Sequence, residues 1–235
     1  MKKMNFYVLI PAYRPDGKLL HLLESLHTAG LRKILVVNDG SGDAYEAVFE
    51  AIRERWSHIA ILPHDANLGK GAALKTGFRY LLEHADGVDG AVTADSDGQH
   101  TAEDILRIMA VMETSPGKLI LGARTFDGTV PWRSRLGNRL TRFLIRRLYG
   151  LNIQDTQTGL RGIPLSMMPL FLEIPCNQYE FELDMLILAG SRRLNVCEVP
   201  VRTIYIDNNA SSHFHPFRDS LKIYFVLFRN LFSKR

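Results

Sequence analysis

The chain has 235 residues, of which 46% are hydrophobic and 23% charged, and its 29 Lys and Arg residues against 25 Asp and Glu residues give a net charge of +4. This composition excludes a disordered or collagen-like chain, and the length fits one large domain or two small ones with a sizeable core. Two cysteines provide neither a disulfide framework nor a four-ligand zinc site, so we expect a reducing compartment.

The first apolar run, residues 6–10, ends at Pro11 and is too short for the hydrophobic region of a secretory signal. No apolar run approaches the roughly 20 residues that span a bilayer. We therefore expect a cytoplasmic protein, with peripheral contact at the inner face of the membrane left open.

Short apolar runs alternate with helical patterns through the first half. Continuous β-branched runs predict buried strands at residues 6–10, 33–37, 59–62 and 91–94. Leucines at helical spacing from Leu19 to Leu26 predict a helix that ends at Gly30, and a second helical pattern extends from Ala72 to Leu82. This alternation predicts a parallel sheet, whose ligands bind beyond the carboxyl ends of the strands.

The second half is less regular. Residues 134–149 predict a basic helix whose apolar side carries Leu136, Leu140, Phe143, Leu144 and Leu148. Further patterns predict a helix at 180–189, a pair of short strands at 196–206 interrupted by Pro200, and an amphipathic helix at 217–232. Six arginines and no acidic residue lie between Asp127 and Asp155, which predicts contact with an anion there.

The residues that follow the fourth predicted strand can carry chemistry. Asp95 and Asp97 are separated by one residue directly after a buried strand, so both carboxylates can converge on one hard cation, and Gln99 adds a neutral oxygen. A solvated Asp-rich turn is the alternative for an isolated motif of this kind.

Two further loops allow two interpretations each. Asp39 belongs to a sequence that readily forms a tight turn, yet a carboxylate there could also accept hydrogen bonds from a nucleobase. The segment 67–71 can be a simple helix start, or a helix N-terminus with Lys70 that favours a phosphate. No G-x-G-x-x-G motif follows the first strand and no P-loop motif surrounds Lys70, so neither of those nucleotide sites is supported.

Five ordered segments resemble the family 2 glycosyltransferases, and within them the dolichyl-phosphate mannose and polyprenyl-phosphate glycosyl synthases. The segments are Pro-Ala-Tyr at 11–13, Val-Asn-Asp-Gly-Ser at 37–41, Asn-Leu-Gly-Lys-Gly-Ala at 67–72, Ala-Asp-Ser-Asp-Gly-Gln at 94–99 and Gly-Ala-Arg at 122–124. The resemblance covers residues 5–206. It implies a single α/β domain of GT-A fold, with a Rossmann-like, mostly parallel sheet and helices on both faces. The nucleotide-binding half would be 1–122, the acceptor half 123–206, and a C-terminal loop and amphipathic helix would occupy 207–235.

The resemblance also implies roles for individual residues. A UDP- or GDP-sugar would contact Pro11, Tyr13, Val37, Asp39, Asn67, Lys70, Ala94 and Asp95. Mg²⁺ or Mn²⁺ would be held against the diphosphate by Asp95, Asp97 and Gln99. Arg124 would lie near the diphosphate or the acceptor phosphate. Many relatives carry an acidic residue where this chain has Pro15, so one nucleotide contact is missing or replaced.

Acidic residues downstream are candidates for catalysis. Asp155 lies in a segment similar to the family's D-x-x-x-G-x-R pattern and would orient sugar or acceptor, the alternative being a structural pair with Arg161. Glu180, Glu182 and Asp184 alternate with apolar residues. An acceptor hydroxyl would need one of these acids as general base, whereas an acceptor phosphate is already ionised and would need none.

The basic helix and the C-terminal segment supply candidate phosphate contacts. Arg133 and Arg135 would bind the phosphate of a lipid-linked acceptor, the alternative being a solvated cationic face. His213 stands where relatives often carry a lysine that meets the diphosphate, with His215 as a neighbouring alternative. The 217–232 helix would pack on the core or lie on a membrane interface.

The sequence thus predicts an inverting, metal-dependent transfer of a hexose to an acceptor, preferably a polyprenyl phosphate such as undecaprenyl or dolichyl phosphate. A saccharide hydroxyl in cell-surface glycan synthesis is the alternative acceptor. A sugar-phosphate nucleotidyltransferase and a non-catalytic nucleotide-sugar-binding module are the alternative functions. Nucleic acid is not expected as a partner, because the basic segment lacks interleaved aromatic residues. Homodimer formation is left open.

Overall fold

The computed structural model describes residues 5–84, 86–124 and 132–202, with only the backbone described for 132–140. The strands are β1 (Phe6–Ala12), β2 (Ile34–Asn38), β3 (Ala60–Pro63), β4 (Gly90–Thr93), β5 (Leu119–Arg124), β6 (Arg161–Pro164) and β7 (Val196–Val201). The helices are α1 (Gly17–Thr28), α2 (Glu46–Arg55), α3 (Lys70–His84), α4 (Ala102–Thr114), α5 (Trp132–Tyr149), α6 (Met168–Leu172) and α7 (Phe181–Ser191). The side chains of Arg133 and Arg135, and His213, His215 and the predicted 217–232 helix, lie outside the described residues.

The seven strands form one sheet in the order β3-β2-β1-β4-β6-β5-β7. Strands β1 to β4 pair in parallel, as do β5 and β7, whereas β6 is antiparallel to both of its neighbours. The predicted α/β class with a mostly parallel sheet is confirmed. The chain order reverses between β1 and β4, and this is the position where an open parallel sheet forms its ligand crevice.

Both faces of the sheet are covered, which explains why its central strands are continuously apolar. In β1, Leu9 packs into one core layer, whereas Val8 and Ile10 pack into the layer on the other face. The alternation follows from the two-residue period of a strand. The sheet is therefore a rigid support for the loops at its carboxyl edge.

Two local predictions are wrong. The predicted interruption at Pro200 is wrong, because residues 196–201 form one strand at the end of the strand order, where a proline needs no partner on the open side. Residues 203–206 of that prediction lie outside the described residues. Phe143 is 62% exposed, since the buried row among the described side chains of α5 is Thr141, Ile145 and Tyr149 at four-residue spacing.

The four strands and the helices predicted in the described range are present, with ends shifted by at most two residues. None of the described helices has the length and apolarity needed to cross a membrane.

Candidate active site

A cleft of about 280 Å³ opens at the carboxyl ends of β1, β2 and β4. Seven of the residues predicted to bind nucleotide or metal line it, namely Pro11, Tyr13, Asp39, Asn67, Lys70, Asp95 and Asp97. Two predicted nucleotide-binding residues, Val37 and Ala94, are fully buried and their side chains do not line the cleft. The topology thus brings together loops that are far apart in sequence.

The loop after β4 presents the two carboxylates of the metal prediction. The backbone N–H of Gln99 donates to Oδ1 of Asp97 at 3.0 Å, and Gly98 has a positive φ of 83°, so the loop turns sharply behind Asp97. Burial and the neighbouring charge of Asp95 raise the pKa of Asp97. The ionised form of Asp97 is therefore disfavoured until a cation is near.

A lysine at the start of α3 neutralises this acidic loop. The Nζ of Lys70 lies 2.7 Å from Oδ1 of Asp95 and 2.9 Å from Oε2 of Glu182. Burial alone would lower the pKa of Lys70, but the charges of Asp95 and Glu182 outweigh burial and raise it. For Asp95, burial favours the neutral form, yet Lys70 and His100 together lower its pKa. Lys70 and Asp95 are therefore both charged at neutral pH.

The carboxylate of Asp95 packs against Gly159, where any side chain would collide with it. A Cβ at Gly159 would approach Oδ2 of Asp95 most closely and would lie 2.9 Å from Cγ and Oδ1, which is much closer than ordinary contact. The hydroxyl of Thr93 donates to the carbonyl of Gly159 at 2.8 Å and fixes this approach. The same oxygen, Oδ2 of Asp95, lies 3.4 Å from Nε2 of His100, whose side chain is 10% exposed.

Asp39 is buried, and neighbouring groups already bind its carboxylate. Oδ1 accepts from the backbone N–H of Leu68 at 2.9 Å and lies 2.7 Å from Nδ1 of His64, while Oδ2 accepts from the N–H of Gly69 at 2.9 Å. A carboxylate has about four acceptor positions, so one further donor from a ligand can still be accommodated. Asp39 therefore organises the 67–69 loop as well as facing the cleft.

The loop after β1 is held in an uncommon backbone conformation. Arg14 has a φ of +50°, and its backbone N–H donates to Oγ of Ser41 at 2.9 Å. Its guanidinium carbon lies 5.0 Å from the ring centroid of Tyr13. Both side chains line the cleft together with Pro15, so a cation neighbours the position where relatives carry an acid.

Asp155 is fully buried and paired, but its partner is Arg124. The Nε and Nη2 of Arg124 donate to the two carboxylate oxygens at 2.6 and 3.1 Å. The alternative pairing with Arg161 is wrong, because the Arg161 guanidinium donates to the backbone carbonyls of Thr158 and Glu182 at 2.9 and 2.6 Å. Neither Arg124 nor Asp155 lines the cleft.

The loop before α7 closes the other wall of the cleft with Gln178 and Tyr179, which the sequence analysis did not identify. It is anchored by Lys75, whose buried ammonium donates to the carbonyls of Ile174 and Cys176. Glu180 precedes α7 and accepts a weak bond from the Cys176 thiol at 3.7 Å, whereas Asp184 is 95% buried within α7.

The chemistry of the cleft suits a divalent cation together with an anionic ligand. Within residues 5–84, 86–124 and 132–202, no group of three or more His, Cys, Asp or Glu side chains is close enough to hold a metal by itself. Asp95 and Asp97 nevertheless present hard oxygen donors, which Mg²⁺ and Mn²⁺ prefer. The residues fit a metal whose remaining ligands come from phosphate oxygens.

A sequence model of the glycosyl transferase family 2 matches residues 7–168. The chain is 28% identical over 218 residues to the UDP-N-acetylglucosamine–dolichyl-phosphate N-acetylglucosaminyltransferase of Methanococcus voltae, covering 86% of each chain. It is 28% identical over 206 residues to the polyprenol monophosphomannose synthase of Mycolicibacterium smegmatis, covering 83% of this chain and 75% of that one.

Among solved structures, the glucosyl-3-phosphoglycerate synthase of Mycobacterium tuberculosis, in complex with Mn²⁺, UDP and phosphoglyceric acid, superposes with a TM-score of 0.71. The alignment covers 98% of this chain and 78% of that one at 17% identity, which shows a common fold.

Proposed function

The chain belongs to glycosyltransferase family 2, and from that membership we propose that it transfers a hexose from a UDP- or GDP-sugar to a polyprenyl phosphate. Two relatives similar over more than four-fifths of the chain are named for transfer to dolichyl phosphate and for polyprenol monophosphomannose synthesis. Both names combine a sugar with an isoprenoid phosphate. This supports the same class of acceptor here.

We place the donor in the cleft at the carboxyl ends of β1, β2 and β4. Tyr13 and Asp39 line the part of the cleft that suits base and ribose, while Asp95 and Asp97 line the part that suits the diphosphate. A divalent cation, when bound there, neutralises charge that develops on the leaving diphosphate. Lys70 adds a fixed positive charge at the first turn of α3, where the helix N-terminus also favours an anion.

The ion pairs around the cleft favour a phosphate acceptor, and this is the observation that carries the proposal. Both oxygens of Asp155 are bound by Arg124. Of the two Glu182 oxygens, Oε2 is bound by Lys70 and Oε1 is buried, and neither Asp155 nor Glu182 lines the cleft. A general base needs a free lone pair directed at the proton that it removes. A phosphate oxygen needs no base, because it is already ionised when it attacks the anomeric carbon.

The reaction is then a single displacement with inversion. A phosphate oxygen of the acceptor forms a bond to the anomeric carbon, on the face opposite the breaking bond to the nucleoside diphosphate. Residues 1–122 hold the donor and residues 123–206 hold the acceptor. Arg133 and Arg135 contact the acceptor phosphate, and Gln99 and His213 complete the contacts to metal and diphosphate. The enzyme reaches its lipid from the cytoplasmic surface of the membrane.

The donor site is tested with Asp97→Ala and with Ser96→Ala, a neighbour in the same loop that lacks a carboxylate. Asp97→Ala should abolish metal-dependent transfer and hydrolysis of the nucleotide sugar while circular dichroism shows an intact fold. Ser96→Ala should retain most of the activity. Full activity of Asp97→Ala would contradict the assigned site.

The acceptor is tested with undecaprenyl phosphate and undecaprenol as paired substrates, using labelled UDP- and GDP-sugars. Product should form from the phosphate alone, and Arg133→Ala and Arg135→Ala should raise KM for the lipid phosphate. Glu182→Gln should retain the chemical step if no base is used. Transfer to undecaprenol or to a saccharide, lost in Glu182→Gln, would favour the hydroxyl acceptor instead.

A further inference from the structure

The contact between Lys70 and Asp95 places a cation on a carboxylate that the proposed function assigns to the metal. The ammonium lies 2.7 Å from Oδ1 of Asp95, which is the distance of a strong charge-assisted hydrogen bond. Glu182 holds the same ammonium from the opposite side at 2.9 Å. The side chain of Lys70 is only 14% exposed, so solvent competes weakly for it.

The second oxygen of Asp95 is also restricted. Oδ2 faces Nε2 of His100 at 3.4 Å, and Gly159 packs so close to this oxygen that a Cβ there would collide with it. Within the described part of the chain, no Lys, Arg or His side chain lies within ion-pair distance of Asp97, and its carboxylate accepts from the Gln99 backbone N–H. A divalent ion that enters the ligand-free cleft must therefore displace Lys70 or bind through Asp97 without Asp95.

We infer that Lys70 keeps Asp95 closed to a divalent cation in the ligand-free protein, so that metal and nucleotide diphosphate bind together rather than metal first. This inference rests on the proposed function. A diphosphate in the cleft offers Lys70 a new anionic partner and supplies the metal with further oxygens. Each ligand then raises the affinity of the other by the same factor, as linkage requires.

The release of Lys70 does not leave Glu182 without a cation. The Arg161 guanidinium already donates to the backbone carbonyl of Glu182 at 2.6 Å, and its buried Nη2 has no hydrogen-bond partner among the described residues. The buried Oε1 of Glu182 likewise has none in that part of the chain. The charge of Glu182 also opposes the lowering of the Arg161 pKa by burial, so Arg161 remains as a cation beside Glu182 when Lys70 turns toward a phosphate.

The test measures Mn²⁺ binding to the nucleotide-free protein by the loss of the free-ion electron paramagnetic resonance signal. Lys70→Met removes the charge, Lys70→Gln removes it but can still donate to both carboxylates, and Lys70→Arg retains it. Lys118→Met is the matched control, because it deletes one lysine charge just before β5, at the opposite edge of the sheet. Circular dichroism confirms the fold of each variant.

Lys70→Met and Lys70→Gln should bind Mn²⁺ at least about tenfold more tightly than the wild type, since an adjacent positive charge opposes a cation strongly at low effective dielectric. Lys70→Arg and Lys118→Met should match the wild type. Equal or weaker binding by both uncharged variants would overturn the inference.

A second measurement uses the wild type alone and does not depend on any variant folding. Calorimetric titration with UDP and with GDP, each with and without Mn²⁺, should show that metal raises the affinity for one of the two nucleotides. Metal binding that is equally strong without nucleotide overturns the role of Lys70 and leaves the metal site intact. No metal binding with either nucleotide overturns the metal site of the proposed function and the inference with it.

Discussion

Gly159→Ala tests whether the Asp95 carboxylate must keep its observed position, because it adds one methyl group next to that carboxylate. The φ of Gly159 lies outside the left-handed region, so alanine suits the backbone and any strain comes from the new contact. The added Cβ would lie 2.9 Å from Cγ and from Oδ1 of Asp95, whereas ordinary contact begins at 3.4 Å. The carboxylate must therefore move by at least about 0.5 Å, which disturbs its 2.7 Å bond to Lys70.

Two effects of different size follow from this displacement. Overpacking of this kind costs about 1–3 kcal/mol of unfolding free energy, which urea denaturation measures. Misplacement of a positioned group by up to 1 Å costs on the order of 10- to 100-fold in rate, so kcat/KM for the nucleotide sugar should fall by about that factor. Gly17→Ala is the control, because no atom lies within 4 Å of its added Cβ.

The result that refutes this reasoning is a Gly159→Ala enzyme with wild-type kcat/KM and wild-type affinity for Mn²⁺ with nucleotide. It would show that Asp95 need not occupy the observed position. An equal loss of activity in Gly17→Ala would instead show that the effect does not come from contact with Asp95.

Arg124→Ala should lower the free energy of unfolding by about 3 kcal/mol in urea denaturation, because it leaves the carboxylate of Asp155 buried without its partner. Arg53→Ala is the control: it breaks an exposed pair with Glu46 and should cost under about 1 kcal/mol. Equal costs for the two would contradict the buried pair. Lys75→Met should lower the free energy of unfolding by about 2–3 kcal/mol, because the buried carbonyls that Lys75 binds lose their donor. It should also raise KM for the nucleotide sugar, because the cleft wall at residues 178–179 loosens. Unchanged stability and KM would contradict this role of Lys75. Asp97→Asn should abolish transfer yet raise the melting temperature at pH 7, since the raised pKa of Asp97 means that its ionised form destabilises the fold above the ordinary carboxyl pKa. The gain should vanish in acid, where the wild-type carboxyl is protonated, and a melting temperature lowered at pH 7 would contradict it.

The parallel core of the fold was predictable from sequence because its strands are buried on both faces. Continuous β-branched runs identify β1 to β4 without any need for alternation. The pattern did not identify β6, which is four residues long and contains Gly162 and Pro164. Pro200 predicts an interrupted strand because a proline disrupts pairing in the middle of a sheet. At the last strand of the order it does not, and the local sequence does not show which strand is last.

The site residues that directly follow strands were predictable from sequence, whereas contacts between residues far apart in sequence were not. The positions of Asp95 and Asp97 follow from a strand that ends just before them. The pair of Lys70 with Glu182 joins residues 112 positions apart, and no local pattern indicates such a contact. Arg161, the alternative partner for Asp155, is only six positions away in sequence, whereas β5 brings Arg124 to the carboxylate in space.

The most direct test of the central claim is the transfer of labelled sugar from a UDP- or GDP-sugar to a polyprenyl phosphate by the purified wild-type protein. Labelled lipid phosphate should form from one of these donors with Mn²⁺ present, and none should form after chelation by EDTA or with Asp97→Ala. Labelled product in the presence of EDTA, or transfer to a saccharide or protein while every polyprenyl phosphate stays unlabelled, would contradict it.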